Sequence, residues 1–172
     1  NRTTGGSTVV FGTTGGTSTG TMSATTDNTN GTYSATFTGV TAGSATTVTA
    51  TIGGVSVTSA MPILVVEPGA MSLSQSTIVA SANSVASGSS VTVTLSARDS
   101  AGNILGVGSD LVAFSHSGGT STGSFSGVTD NQNGTYSATF SGLTSGTATT
   151  IGATINGGTV TSTLPSVTVI PG

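Results

Sequence analysis

The feature that most constrains this chain is a repeat inside it. The segment TGGTSTGTMSATTDNTNGTYSATF at residues 14–37 recurs as SGGTSTGSFSGVTDNQNGTYSATF at residues 117–140, an offset of 103. Held at that offset, residues 1–69 align with residues 104–172 without a gap, and 38 of those 69 positions are identical. Both copies end in Pro-Gly, at Pro68-Gly69 and at Pro171-Gly172. Self-similarity at a fixed period means that one structural unit is used again, so a fold that serves one copy must serve the other. The register predicts a complete unit at residues 70–172 and a partial unit at residues 1–69 that lacks its opening two strands. Such a chain is expected to belong to a longer array, or to receive the missing strands from a neighbouring molecule. The units abut through Glu67-Pro68-Gly69-Ala70 with no Gly/Ser-rich or Pro-rich linker, which predicts limited hinge freedom and a rod-like array.

The residue pattern within a period is that of strands. Val91, Val93, Leu95 and Ala97 alternate with Thr92, Thr94 and Ser96, a period of two with one face buried. Val112 and Phe114 form the inward face of the next strand, matched by Val9 and Phe11 in the first copy. Tyr136, Ala138 and Phe140 alternate with Thr135, Ser137 and Thr139, and Ile151, Ala153 and Ile155 repeat the pattern. In the last strand the parity changes at Pro165, and at Pro62 in the first copy, where a bulge restores the inward face. No window carries a helical period. About seven short strands at roughly 10-residue spacing predict an all-β fold of tandem immunoglobulin-like β-sandwiches.

Composition removes several function classes. Charged residues make up 4% of the chain, and its only cations are Arg2 and Arg98. Nucleic-acid binding needs a field of Lys and Arg to displace counterions from phosphates, so that partner is excluded. The chain has no cysteine, hence no disulfide, thiol nucleophile or thiolate metal site. Without lysine it cannot form an internal Lys–Asn isopeptide cross-link. No stretch approaches the roughly 20 apolar residues of a membrane helix.

Few motifs carry chemistry. The Asp27 to Tyr33 run and its twin from Asp130 to Tyr136 are dense in Asp and Asn, but a calcium loop wants alternating oxygen ligands and a closing acid, and none follows here. The better reading is a tight turn leading into a tyrosine corner, built from Asp27, Asn30, Gly31 and Tyr33 and again from Asp130, Asn133, Gly134 and Tyr136. His116 is the only histidine and is read as a solvent-facing loop residue. Asp99 is read as bonding its own loop backbone. Nucleophilic catalysis needs a nucleophile, a base and an orienting group within reach, and no such set can be assembled, so the chain is read as no enzyme, with no cofactor and no metal. GGTSTG lacks the lysine and following helix of a phosphate loop. Asn1, Asn30 and Asn133 sit in N-x-T sequons, and together with the outward Thr and Ser they are candidate glycan positions in a glycosylating organism.

The opening SLSQSTIVASANSVASGSSVTVTLSARDSAGNIL, the LVAFSHSGG segment and the twice-used DNxNGTYxATF signature resemble the bacterial immunoglobulin-like repeats of the invasin and intimin type, and more loosely the filamin-type repeat. The resemblance covers the whole second unit and the later two thirds of the pattern in the first. It implies a two-sheet sandwich strung in tandem on a cell-surface or secreted fibre, with most repeats serving as stalk. The functional expectation is a spacer of an extracellular adhesin whose partners are neighbouring repeats or copies of itself. A competing expectation is a self-assembling filament, sheath or virion-surface subunit, supported by the scarcity of repelling charge.

Overall fold

The computed structural model describes residues 4–106 and 108–172. The sequon at Asn1 and the cation Arg2 lie outside the described residues. The described chain is β-strand and turn throughout, with no helix, and it divides into two compact units, Asn1–Glu67 and Pro68–Gly172.

The first unit contributes β1 (Val9–Thr14), β2 (Thr19–Met22), β3 (Thr26–Asp27), β4 (Tyr33–Ser34), β5 (Phe37–Thr41), β6 (Thr46–Ile52), β7 (Val55–Ser56) and β8 (Ile63–Leu64). The second contributes β9 (Thr77–Ala80), β10 (Ser84–Ala86), β11 (Ser90–Ser96), β12 (Val112–Ser117), β13 (Thr122–Phe125), β14 (Thr129–Asp130), β15 (Thr135–Thr144), β16 (Thr149–Ile155), β17 (Gly158–Thr159) and β18 (Ser166–Ile170).

In the second unit these strands form two sheets. One runs β13-β15-β11-β9 with β14 added on β15, and the other runs β10-β18-β16-β12 with β17 added on β16. The alternation in the sequence sets the register: Val91, Val93 and Leu95 lie opposite Phe140, Ala138 and Tyr136. The side chains of Val91, Val93, Leu95, Tyr136 and Phe140 meet Ile151, Ala153, Ile155, Val167 and Val169 from the other sheet in one continuous core. Phe140 sits at its centre, its ring 5.1 Å from that of Phe125. Each such side chain, fully buried, contributes about 1.5–3 kcal/mol. The parity of burial changes near Pro165, with Val160 buried before it and Val167 and Val169 after it, but by a break in the strand and not a bulge: β17 ends at Thr159, β18 begins at Ser166, and the Ile151 N–H donates to the Pro165 carbonyl between them.

The opening of the unit changes sheet partway. β9 pairs antiparallel with β11, whereas β10, three residues later, pairs parallel with β18 in the opposite sheet. Between them the Ser81 N–H donates to the Thr92 carbonyl and the Asn83 carbonyl accepts from Thr168. The segment thereby closes one end of both sheets, an arrangement that limits exposed edges.

The first unit repeats the later part of this plan. β1 pairs β6 as β12 pairs β16, and β2 pairs β5 as β13 pairs β15. A Gly43 N–H to Val66 carbonyl bond has its twin between Gly146 and Val169. Among the described residues the first unit has no counterpart of β9, β10 or β11. Three strands are therefore without an equivalent, where the sequence pattern points to two: β10 (Ser84–Ala86), which pairs in the opposite sheet from β9, is the one it does not include. The consequence is visible in burial. Ile52 is 49% exposed where its counterpart Ile155 is 1% exposed, and Tyr33, Phe37 and Val48 are half-buried where Tyr136, Phe140 and Ile151 are fully buried.

Candidate functional site

The Asp130 to Tyr136 turn is a hairpin loop closed by the Asn131 N–H donating to the Thr135 carbonyl. Thr129 and Asp130 enter opposite Ser137 and Tyr136, which fixes the register. Two residues take left-handed backbone, Gln132 at φ 56° and Gly134 at φ 77°. A Cβ at Gly134 would come within 2.7 Å of Ile104 Cγ2, so only glycine fits there. The Asn133 carboxamide oxygen accepts from the Thr135 N–H and hydroxyl, and the Asp130 carboxylate accepts from the Gln132 and Ser109 N–H groups. The first copy repeats the construction: Asn30 accepts from Thr32, and Asp27 accepts from the Thr29 and Gly6 N–H groups. Bonds from the Gly6 and Thr29 N–H groups hold the Asp27 carboxyl below its usual range, with a smaller contribution from the Tyr33 hydroxyl.

Tyr136 points inward from β15 and is 1% exposed. Its phenol oxygen accepts from the Asp110 N–H at 3.0 Å, and its O–H donates to Asp110 Oδ2 at 3.3 Å. Asp110 stands just ahead of β12, in the opposite sheet and 26 positions upstream. The phenol therefore ties one sheet to a backbone group at the head of the other. Tyr33 makes the equivalent bond from the Ser7 N–H at 2.9 Å. Burial raises the Tyr136 phenol above its usual pKa, and the Asp110 and Asp130 charges push the same way, while the Asp110 N–H bond opposes them. Tyr136→Phe leaves that part-buried N–H without its acceptor and is expected to cost about 1–3 kcal/mol. Tyr33→Phe costs less, since water reaches the half-buried site. Hydrogen exchange of the β15 and β5 amides in the two variants reads the difference.

Sequence reasoning missed the partners of this tie. Asn156 and Gly157 form the two-residue turn between β16 and β17, both at positive φ. The Asn156 side chain accepts from the Leu111 N–H and donates to Asp110 Oδ1, locking the same corner. Because Asp110 and Asn156 correspond to Ser7 and Gly53 in the first copy, comparison of the copies hides them. His116 also departs from its sequence reading. It lies on β12, half-buried, with its ring edge on Phe140 at 5.6 Å. The Thr149 hydroxyl donates to the Ser117 carbonyl, so the contact of 3.3 Å from His116 Nδ1 is completed by a proton on that nitrogen.

Asp99 bonds its own loop as the sequence indicates, and it does more. Oδ1 accepts from the Ala101 and Asn103 N–H groups, and Oδ2 accepts from the Asn103 carboxamide and the Gly69 N–H. The last bond holds Pro68-Gly69 to the second unit. The Asn103 carboxamide, and after it the Gly69 N–H, lower the Asp99 carboxyl to about 2. A free aspartate titrates near 3.9. Its depressed pKa adds stability that is present above about pH 4 and is lost as pH falls through about 2. The urea midpoint of the chain is expected to fall between those limits, and Asp99→Asn, which cannot titrate, removes that share of the acid response.

Among the described residues no three His, Asp or Glu side chains are grouped closely enough to hold a metal, and no helix is long and apolar enough to cross a membrane. In each turn the Asp carboxylate accepts from two backbone N–H groups. Two facing sheets, antiparallel apart from the β10–β18 pair, with the opening segment shared between them, define an immunoglobulin-like sandwich. The family described as invasin, domain 3 matches residues 72–172, and the chain belongs to that family. Among solved structures it is similar to the Escherichia coli adhesin FdeC, at 27% identity and a TM-score of 0.57, over 94% of this chain and 52% of FdeC. Yersinia pseudotuberculosis InvD is similar at 26% identity and a TM-score of 0.54, over 97% of this chain and 48% of InvD. The bacterial integrin-binding protein invasin shares the fold at 23% identity and a TM-score of 0.54, over 97% of this chain and 33% of invasin. The chain thus spans about half the length of the FdeC and InvD chains and a third of invasin. No curated protein sequence matches it.

Proposed function

We propose that this chain is a stretch of spacer repeats from an extracellular, surface-attached adhesin: non-catalytic immunoglobulin-like domains, residues 1–69 and 70–172, that carry a binding region away from a cell surface. The observation that carries this reading is the invasin domain 3 match over residues 72–172, joined to the likeness to the adhesin FdeC over nearly the whole chain. The 103-residue period and the short junction between copies support it, since a spacer needs only a repeated unit that folds. Its partners on this reading are neighbouring repeats, and its Ser/Thr-rich outer faces and the sequons at Asn30 and Asn133 are where glycans would attach.

The test places one, two or four copies of the chain between an outer-membrane anchor and a terminal epitope on a bacterial surface. Antibody access to the epitope rises with copy number if the repeats are spacers, while beads coated with the chain alone do not adhere to epithelial cells. Adhesion by the chain itself, or epitope access that ignores copy number, overturns the reading. A self-assembling filament is the competing reading, favoured by a chain of which only 4% is charged. Concentration-dependent polymers in sedimentation would select it.

A further inference from the structure

The dipeptide Asn-Gly occurs at Asn30-Gly31, Asn133-Gly134 and Asn156-Gly157, and all three asparagines are exposed. An asparagine in that setting can react with its own backbone, because glycine carries no side chain to shield the next peptide nitrogen. Dipeptide and exposure are the same at the three sites, so the direction of each carboxamide is what distinguishes them. Asn133 folds back over its own turn: Oδ1 accepts from the Thr135 N–H at 3.1 Å and from the Thr135 hydroxyl at 2.6 Å. That hydroxyl itself accepts from the Asn131 carboxamide at 3.0 Å, which turns its proton toward Asn133. Asn30 is held in the same way, by the Thr32 N–H at 3.1 Å and the Thr32 hydroxyl at 2.7 Å, with Asn28 behind. Asn156 points elsewhere. Its Oδ1 accepts from the Leu111 N–H and its Nδ2 donates to Asp110 Oδ1, each at 2.8 Å, on a segment 45 and 46 positions upstream.

We propose that Asn30 and Asn133 are sites of spontaneous deamidation, while Asn156 is kept out of the reaction by the corner it locks. The Gly134 nitrogen attacks Asn133 Cγ and gives its proton to water as the new N–Cγ bond forms. The Cγ–Nδ2 bond then breaks, and the nitrogen leaves as ammonia with a proton taken from water. Water opens the resulting five-membered imide at either carbonyl, which yields aspartate or isoaspartate. Negative charge builds on Oδ1 in the first step, where the two Thr135 donors already stand, and donors placed in that way stabilise an oxyanion. At Asn156 the carboxamide is drawn to Leu111 and Asp110, away from the Gly157 nitrogen, and its Nδ2 would have to leave a carboxylate that holds it. Each conversion adds a negative charge to a chain whose formal net charge is −3. It also removes the Asn of an N-x-T sequon, so a glycan and this reaction exclude one another at the same residue. Isoaspartate further lengthens the main chain by a methylene, in the turn that leads into Tyr136. This inference goes beyond the spacer reading and is independent of it.

The test ages the whole chain at mildly alkaline pH, native and in urea, and follows each asparagine by peptide mass mapping, with isoaspartate read by methyltransferase labelling. In the native chain Asn30 and Asn133 are expected to convert at least about tenfold faster than Asn156. In urea, where the carboxamides lose their partners, the three rates are expected to converge. Thr135→Val removes the hydroxyl donor and is expected to slow Asn133 severalfold, while Thr135→Ser keeps the hydroxyl and the rate. Asn30 in the same chains is the internal reference. Asn156 converting as fast as the other two in the native chain overturns the proposal. So does a difference that persists in urea, or an Asn133 rate that is the same in the Val and Ser variants. Cell adhesion and epitope access enter none of these readouts, so this proposal and the spacer reading fail separately.

Discussion

Val93→Asp is expected to unfold the second unit. Val93 is 0% exposed on the central strand β11, between β15 and β9 and facing the aliphatic residues of the other sheet. A carboxylate there loses its hydration with no cation in reach, since Arg98 is the one cation among the described residues of the unit and donates to the Gly102 carbonyl. The cost is about 4 kcal/mol or more, against a total stability of about 5–15 kcal/mol for a domain. Val79→Asp is the matched control. Val79 is the same residue type in the adjacent strand, opposite Thr94, but it is 58% exposed on the outer face. There the charge meets water, and the change in stability is expected to stay within about 0.5 kcal/mol. Loss of cooperative unfolding in the first variant and its retention in the second is read from urea titrations by circular dichroism. The comparison isolates parity, since the two valines differ chiefly in the face they occupy.

Phe140→Ala is the second large effect. Its ring is fully buried, packs on Phe125 and His116, and lies over Gly123, whose missing side chain makes room for it. Truncation leaves a cavity that the surrounding strands cannot close, at a cost of about 3–5 kcal/mol. Phe37→Ala at the corresponding position of the first unit is expected to cost roughly half as much, because the lost contact area scales with burial and Phe37 is half-buried. The two measurements together weigh what β9, β10 and β11 add to the same strands. Equal costs in the two units would show that the open face of the first unit does not weaken it.

Much of this architecture is legible in the residues. Alternating Val, Leu and Ala against Thr and Ser places Val91, Val93 and Leu95 on the inward face, and the structure buries them. The repeat requires that β1 and β12, or β6 and β16, be the same element, and their pairings agree. The hairpin glycines Gly31 and Gly134 are readable because a left-handed backbone is a local property that only a few residue types accept. Asp99 is legible for the same reason, since three of its four bonds stay within its own loop.

What the sequence leaves undecided is non-local. The division of Thr77–Ala86 between two sheets rests on pairing with β11 on one side and β18 on the other, and β18 lies more than 80 positions away. His116 reads as a loop residue because Ser115, Ser117 and the glycines after it are turn-like, yet pairing with Ile151 places it on a strand against Phe140. The phenol of Tyr136 needs a partner, and the sequence states that need but not that the partner is the Asp110 N–H on the opposite sheet. By itself the sequence determined the period, the strand type and the inward face, because these follow from side-chain chemistry repeated along the chain. Only the tertiary structure decided which strands share a sheet and what Tyr136 and Asn156 hold together, because these depend on which distant segments meet.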